Sequence, residues 1–217
     1  MDFERARFNM VEQQIRPWDV TAPKVRQLLM TTQREDYVPP SLRGLAFADI
    51  EMPLSHGQTM LRPVIEGRIL QALGMKRARS ALEIGTGSGY FAALLASFSK
   101  KVYTVEIEPE LAQLARGNFA RNGIANVVVE EGDGAQGWFA QAPYDVIVVS
   151  GCLPELPGAL LAQLKPGGRL FAFVGEAPTM KAHLIVRKSE KQTQCRDLFE
   201  TQVPMLRHAP CTGEFLL

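Results

Sequence analysis

The sequence predicts an α/β fold, a mostly parallel seven-stranded sheet with helices on both faces and an N-terminal helical extension. Three observations carry this. From residue 79 onward, short apolar strands alternate with helical stretches through brief links, the pattern of a parallel sheet covered on both sides. Two β-like runs follow one another directly near the C-terminal end, which fits an antiparallel hairpin closing one edge. Residues 1–75 show a different pattern of helices and irregular chain, an extension packed on a core of residues 76–217 within one domain.

The elements follow in order. Residues 3–15 and 21–33 read as helices separated by Pro17, Asp19 and Pro23, with Thr21 as the expected N-cap of the second. Pro39 and Pro40 end this region, and residues 41–62 read as irregular. Pro63 suits the first position of a helix in which Ile65, Ile69, Leu70 and Leu73 form an apolar face and Gly74 closes the last turn. The alternation then runs SALEIG (strand), 89–99 (helix), KVYTVEI (strand), 109–122 (helix), NVVVEEG (strand), a short helix near 136–140, YDVIVVS (strand), LPGALLAQL (helix) and GRLFAFVG (strand). AHLIVRK and LFETQVPML supply the last two strands.

Composition excludes several classes of function. Lys and Arg total 24 against 23 Asp and Glu, so no general attraction to nucleic acid or anionic lipid follows. Cys152, Cys195 and Cys211 are far apart and form no CxxC pair, and the three histidines His56, His183 and His208 are scattered. Neither a disulfide framework nor metal-ligand spacing is visible, and no metal is expected. The opening MDFERARFNM carries no apolar signal-type segment, and no apolar run approaches the ~20 residues of a membrane helix. A cytoplasmic location is therefore expected.

Chemistry concentrates in three loops. LEIGTGSGY (82–90) places Gly85, Gly87 and Gly89 after a strand and before a helix, where glycines allow a tight turn and close approach of a ligand to the backbone. The spacing is E-x-G-x-G-x-G. The third glycine of a dinucleotide fingerprint would fall at Tyr90, which disfavours a nicotinamide-dependent dehydrogenase. Glu106 ends the second strand, where a carboxylate can accept hydrogen bonds from both ribose hydroxyls. Asp133, between Gly132 and Gly134 after the third strand, can accept from an exocyclic amine. Each alone has an ordinary reading as a turn or a solvated strand end, but together, after consecutive strands, they describe a nucleoside site at the carboxyl edge of an open sheet.

These residues, with VYTVEIEPEL, GDGAQGW, APYD and LPGALLAQLKPGGRL, resemble the motifs of S-adenosylmethionine-dependent methyltransferases with a Rossmann-like fold. MVEQQI, REDYVPP, ADIEMPL and HGQT extend the resemblance over nearly the whole chain and narrow it to the protein-L-isoaspartate O-methyltransferases. The resemblance implies S-adenosyl-L-methionine as cofactor and the isoaspartyl carboxyl of damaged proteins as acceptor. It implies that Glu83, Gly85, Thr86, Gly87 and Gly89 cradle the methionine end. Glu106 would hold the ribose, Ile107 would lie beside the adenine, and Asp133 and Gly134 would border the base. Gln58, Thr59 and Met60 would face the cofactor from the HGQT turn.

One departure stands out. The family's turn continues T-I-S-x-P, with the serine lining the active site; here HGQTMLRP puts Leu61 in its place. Methyl transfer to a carboxylate needs no strong base, because the acceptor is already ionised at neutral pH. Catalysis is mainly alignment, so one lost hydroxyl weakens the chemistry without abolishing it. Thr59 and Arg62 are the candidates for supplying the missing contact beside Leu61. The alternatives are a divergent methyltransferase acting on a more apolar small molecule, or a cofactor-binding homologue without activity. His56 reads as a hydrogen-bonded structural residue, Trp138 as core, and Cys152 as a lining residue with no activating neighbour.

Overall fold

The structure is a computed structural model that describes residues 2–209. Cys211 lies outside them. The extension begins with α1 (Phe3–Asn9), which runs on as a π-helical stretch, Met10–Ile15, burying Met10, Val11 and Ile15. Helix α2 (Pro23–Thr31) starts two residues later than expected. Pro23 occupies its first turn, Ala22 stands at the cap, and the Ala22 amide donates to Gln71 Oε1 at 2.9 Å. Thr21 is therefore not the N-cap: the fixed φ of proline sets the start, and the cap amide is satisfied from another helix.

Two short strands, β1 (Met52–Pro53) and β2 (Thr59–Met60), pair antiparallel around the turn containing His56 and Gly57. Helix α3 (Pro63–Leu73) follows as the sequence foretells, ended by Gly74 at φ +71°. Its apolar face buries Ile65, Ile69, Leu70 and Leu73, an area worth roughly 1.5–3 kcal/mol per side chain.

The sheet holds β3 (Ala78–Ile84), β4 (Ser99–Glu106), β5 (Val127–Glu131), β6 (Tyr144–Leu153), β7 (Leu164–Glu176), β8 (Thr179–Arg187) and β9 (Thr193–Glu200). Their spatial order is β5-β4-β3-β6-β7-β8-β9. The first five are mutually parallel; β8 and β9 add as an antiparallel meander. The chain winds outward from β3 through β4 to β5, then returns to lay β6 on the other side of β3. That reversal opens a crevice at the carboxyl ends of β3, β4 and β6. Helices α4 (Tyr90–Ala96) and α5 (Pro109–Arg121) join the extension in one core, and α6 (Gly158–Ala162) covers the other face over Ile147, Leu164 and Leu170.

The last strand is displaced from the expected run. LFETQVPML spans 198–206, but pairing with β8 begins at Thr193 and ends at Glu200. The polar start of β9 gave no apolar signal. After it the chain leaves the sheet and crosses the end of β6. There the Cys152 amide donates to the Pro204 carbonyl and the Leu206 amide to the Cys152 carbonyl, both at 2.8 Å.

Gly89 sits at the head of α4 with φ +84°, and a Cβ built there would lie 2.6 Å from Phe119 Cζ. Gly89→Ala should destabilise the protein by about 2–4 kcal/mol, through left-handed strain plus overpacking, and lower its Tm by roughly 5–15 °C. Gly117→Ala, in α5 with nothing near the added methyl, should leave the Tm unchanged or raise it. Equal Tm values for the two variants in thermal melts would contradict this account.

Candidate active site

An open cleft lies where the topology predicts, at the carboxyl ends of β3, β4 and β6. Its wall takes in residues from the glycine loop, the end of β4, the loop after β5, the HGQT turn and the chain after β9. Gln58, Thr59, Met60, Leu61, Glu83, Gly85, Thr86, Gly87, Glu106, Ile107, Asp133 and Gly134 all line it, so segments far apart in sequence converge on one volume.

Backbone geometry fixes the glycine loop to β4. The Gly85 amide donates to the Val105 carbonyl at 2.9 Å, with Gly85 at φ +91° where a side chain would be strained. The Gly87 amide then donates to Glu106 Oε2 at 2.8 Å, and the Glu108 amide to Glu106 Oε1 at 3.1 Å. Burial lifts the Glu106 carboxyl above its usual range, while the backbone amides of Gly87, Ile107 and Thr86 pull it back. Each carboxylate oxygen still has a free lone pair for a ligand hydroxyl. Asp133 is half-exposed; its Oδ1 accepts from the Ala135 amide at 2.9 Å and its Oδ2 faces His208 Nδ1 at 3.0 Å.

Glu83 is buried beneath the loop. The Thr104 hydroxyl donates to its Oε2 at 2.6 Å and the Ser150 hydroxyl to its Oε1 at 3.2 Å. With no cation beside it, burial pushes this carboxyl up to about 8, despite the hydroxyl donors. A positive charge placed beside it would favour its ionised form.

The HGQT turn is held from behind. Arg34, 1 % exposed, forms a buried ion pair with Glu66 of α3 and donates to the Leu61 carbonyl at 2.8 Å and the Ala46 carbonyl at 3.0 Å. Its guanidinium also lies 4.9 Å from the centre of the Tyr90 ring. Burial alone would lower the Arg34 pKa, but Glu66 outweighs that and keeps it charged. The Leu61 main chain is thereby fixed, with its side chain in the cleft wall. Thr59 lines the cleft, and its buried hydroxyl has no hydrogen-bond partner among the described residues.

Several residues named from the sequence lie off the cleft wall. Arg62 caps α3 with its side chain 38 % exposed, 3.9 Å from Asp49 Oδ2, because Pro63 commits the chain to turn into the helix there. Gly89 acts beneath the loop, making room for Phe119. Cys152 is not a lining residue either. It is fully buried, its thiol points to the Gly175 carbonyl, burial raises its pKa to about 11, and its neighbours Ser150 and Gly151 line the cleft instead. His56 adopts φ +57° and pairs with Glu110 at 2.8 Å, a structural role. Trp138 packs partly buried against the α6-side core.

Sequence reasoning missed Glu66, Ser88, Tyr90, Ser150 and the stretch from Pro204 to Arg207, which also line the cleft. Glu66 gives a faint signal as a charge at helical spacing from the apolar Ile69, Leu70 and Leu73 of α3. The C-terminal stretch gives none, because it arrives through the crossing over β6. Arg207 fastens it by an ion pair with Glu108.

Comparison with known proteins agrees with this geometry. The family model "Protein-L-isoaspartate(D-aspartate) O-methyltransferase" matches residues 5–208. The protein-L-isoaspartate O-methyltransferase of Myxococcus xanthus is 39% identical, over 88% of this chain and 89% of its own. That of Hyperthermus butylicus is 34% identical, over 98% and 91%. Among solved structures, a Plasmodium falciparum chain named for the same activity and crystallised with S-adenosyl-L-homocysteine superimposes with a TM-score of 0.80 at 20% identity. It covers 93% of this chain and 98% of its own. That likeness establishes the shared fold.

The elevated Glu83 carboxyl has a thermodynamic consequence. Its protonated form is favoured by folding, so its contribution to stability is full below the ordinary carboxyl range and is lost as pH rises from ~5 to ~8. In ligand-free protein, Glu83→Gln should flatten the decline of Tm over that interval. A wild-type slope in the variant would show that Glu83 ionises normally.

Proposed function

The chain belongs to the protein-L-isoaspartate(D-aspartate) O-methyltransferase family, and from that premise we propose how its cleft divides the work. It is an S-adenosyl-L-methionine-dependent enzyme that methylates the isoaspartyl carboxyl of damaged proteins, a step in protein repair. The observation that carries the proposed division is Thr59, a cleft-lining residue near Leu61 whose buried hydroxyl has no partner among the described residues. An orphaned buried hydroxyl costs about 1–3 kcal/mol unless something pairs with it. Turned by one χ1 rotamer toward the cleft, the Thr59 hydroxyl would pair with the acceptor carboxylate.

The rest of the wall fits the cofactor. S-adenosyl-L-methionine supplies a methyl group made electrophilic by its sulfonium. Glu106 offers two lone pairs to the ribose hydroxyls, and Ile107 an apolar surface to the adenine. Asp133 and Gly134 border the base, with Asp133 as acceptor for the exocyclic amine. Gly85, Thr86 and Gly87 let the methionine end approach the backbone, above Glu83, whose carboxylate complements the ammonium. Gln58 and Met60 line the wall on either side of Thr59. Gly89 supports the loop from beneath, and Arg62 stays outside, leaving Thr59 as the donor that orients the acceptor oxygen. No side chain need remove a proton, since carboxyl groups ionise near ~4. The residues hold oxygen and methyl in line at about 3 Å and exclude water.

Isoaspartyl peptides and proteins are accordingly the partners; the near-neutral charge gives no case for nucleic acid. No helix among the described residues is long and apolar enough to cross a membrane, and we place the enzyme in the cytoplasm.

Labelled-methyl transfer to an isoaspartyl peptide, against its ordinary aspartyl twin, tests this reading. Wild type should methylate only the former. Thr59→Val should lower kcat roughly ten- to a hundredfold with cofactor binding unchanged, as expected for ~1–3 kcal/mol of lost orientation. Leu61→Ser should raise isoaspartyl activity, at some cost in Tm from the emptied volume. Tight cofactor binding with no transfer to either peptide would instead indicate a small-molecule acceptor or an inactive homologue. An unaltered Thr59→Val rate would remove Thr59 from the acceptor site.

A further inference from the structure

At the far edge of the sheet, β8 and β9 bring His183, Cys195 and Asp197 together. His183 stands opposite Asp197 in the antiparallel register, and Cys195 lies two residues along β9 on the same face. A bulge between Ala182 and His183 adjusts the register at this point. None of the three lines the methyl-transfer cleft.

Their ligand atoms converge. His183 Nδ1 lies 2.9 Å from Asp197 Oδ1 and 3.5 Å from Cys195 Sγ, and the three atoms all fall within 4.8 Å of one another. These contacts cannot all be good hydrogen bonds at once. A protonated Nδ1 can donate to Asp197 but cannot accept from the thiol; an unprotonated Nδ1 can accept from the thiol but leaves two acceptors facing each other at 2.9 Å. A cation at the centre satisfies all three. Tetrahedral bonds of ~2.0–2.3 Å put ligand atoms about 3.3–3.8 Å apart, close to what is already present. Lys181 sits 3.6 Å from Asp197 Oδ2, which leaves Oδ1 free to bind.

We propose that His183, Cys195 and Asp197 form a second site, binding a divalent transition metal of the zinc class with water completing the shell. Sulfur and nitrogen in two of three positions disfavour magnesium and calcium, which take oxygen ligands. Binding exchanges the Cys195 thiol proton for the metal, the proton passing to solvent, and staples the outermost strand to its neighbour.

Cobalt(II) alone, titrated into the full-length, metal-free protein, tests the site. Wild type should saturate at one equivalent, with a thiolate-to-cobalt charge-transfer band and the visible bands of tetrahedral cobalt. Cys195→Ser should lose the charge-transfer band, His183→Ala should weaken binding at least tenfold, and Cys211→Ser should behave as wild type. Cys195 lies on the edge strand and His183 on the strand beside it, and circular dichroism will confirm that the variants fold. No saturable binding by wild type, or an undiminished charge-transfer band in Cys195→Ser, would overturn the assignment.

Discussion

A single buried guanidinium ties the two parts of this molecule together. Arg34 belongs to the extension, yet it pairs with Glu66 on α3, donates to main-chain carbonyls at Ala46 and Leu61, and lies against Tyr90 at the start of α4. Such a group has no water to fall back on, so every donor must find a protein acceptor. Removing one partner of a buried pair of this kind costs about 3–5 kcal/mol, because the other charge is left stranded. The arrangement therefore tolerates little movement of the turn relative to the sheet. The cleft is a shared boundary: one wall comes from the sheet, the other from a turn that Arg34 holds in place.

What the sequence disclosed follows the range of the forces involved. The glycine loop, Glu106 and Asp133 were legible because each is a local device: a strand, a turn and an acidic residue at a fixed place after it. The parallel core was legible because its strands are apolar on both faces. Helix α3 announced both ends, through Pro63 and Gly74. The misplaced features are those set by distant contacts. Thr21 looks like a cap, but Pro23 and Gln71 decide where α2 begins. Arg62 looks like a carboxylate fork in a catalytic turn, yet the following proline turns it toward Asp49.

The chain after β9 shows the same limit more sharply. Residues 201–206 read as the end of a strand, and Val203 and Leu206 do carry apolar character. Whether they extend β9 or cross to β6 depends on which carbonyls remain free at the end of β6. Cys152 supplies both an amide and a carbonyl to this crossing, and Gly151 permits it, since a side chain there would meet the Leu206 backbone at 3.1 Å. The His183, Cys195 and Asp197 cluster is invisible for a related reason. Twelve residues separate His183 from Cys195, and only the hairpin register, adjusted by its bulge, brings them to one face.

The way the turn is anchored bears on the departure that the resemblance implies at position 61. Arg34 holds Leu61 through its carbonyl oxygen, a group present whatever the side chain. The path of the main chain through Thr59 and Met60 is likewise set by pairing of β2 with β1, again through the backbone. Side-chain chemistry at position 61 can therefore change without moving its neighbours, and the Thr59 hydroxyl keeps its place in the wall. An enzyme that works by alignment depends on where its groups sit more than on any one of them. In the proposed reading, a turn fixed through its peptide groups accommodates Leu61 while the Thr59 hydroxyl, buried and without a partner among the described residues, stands two residues away.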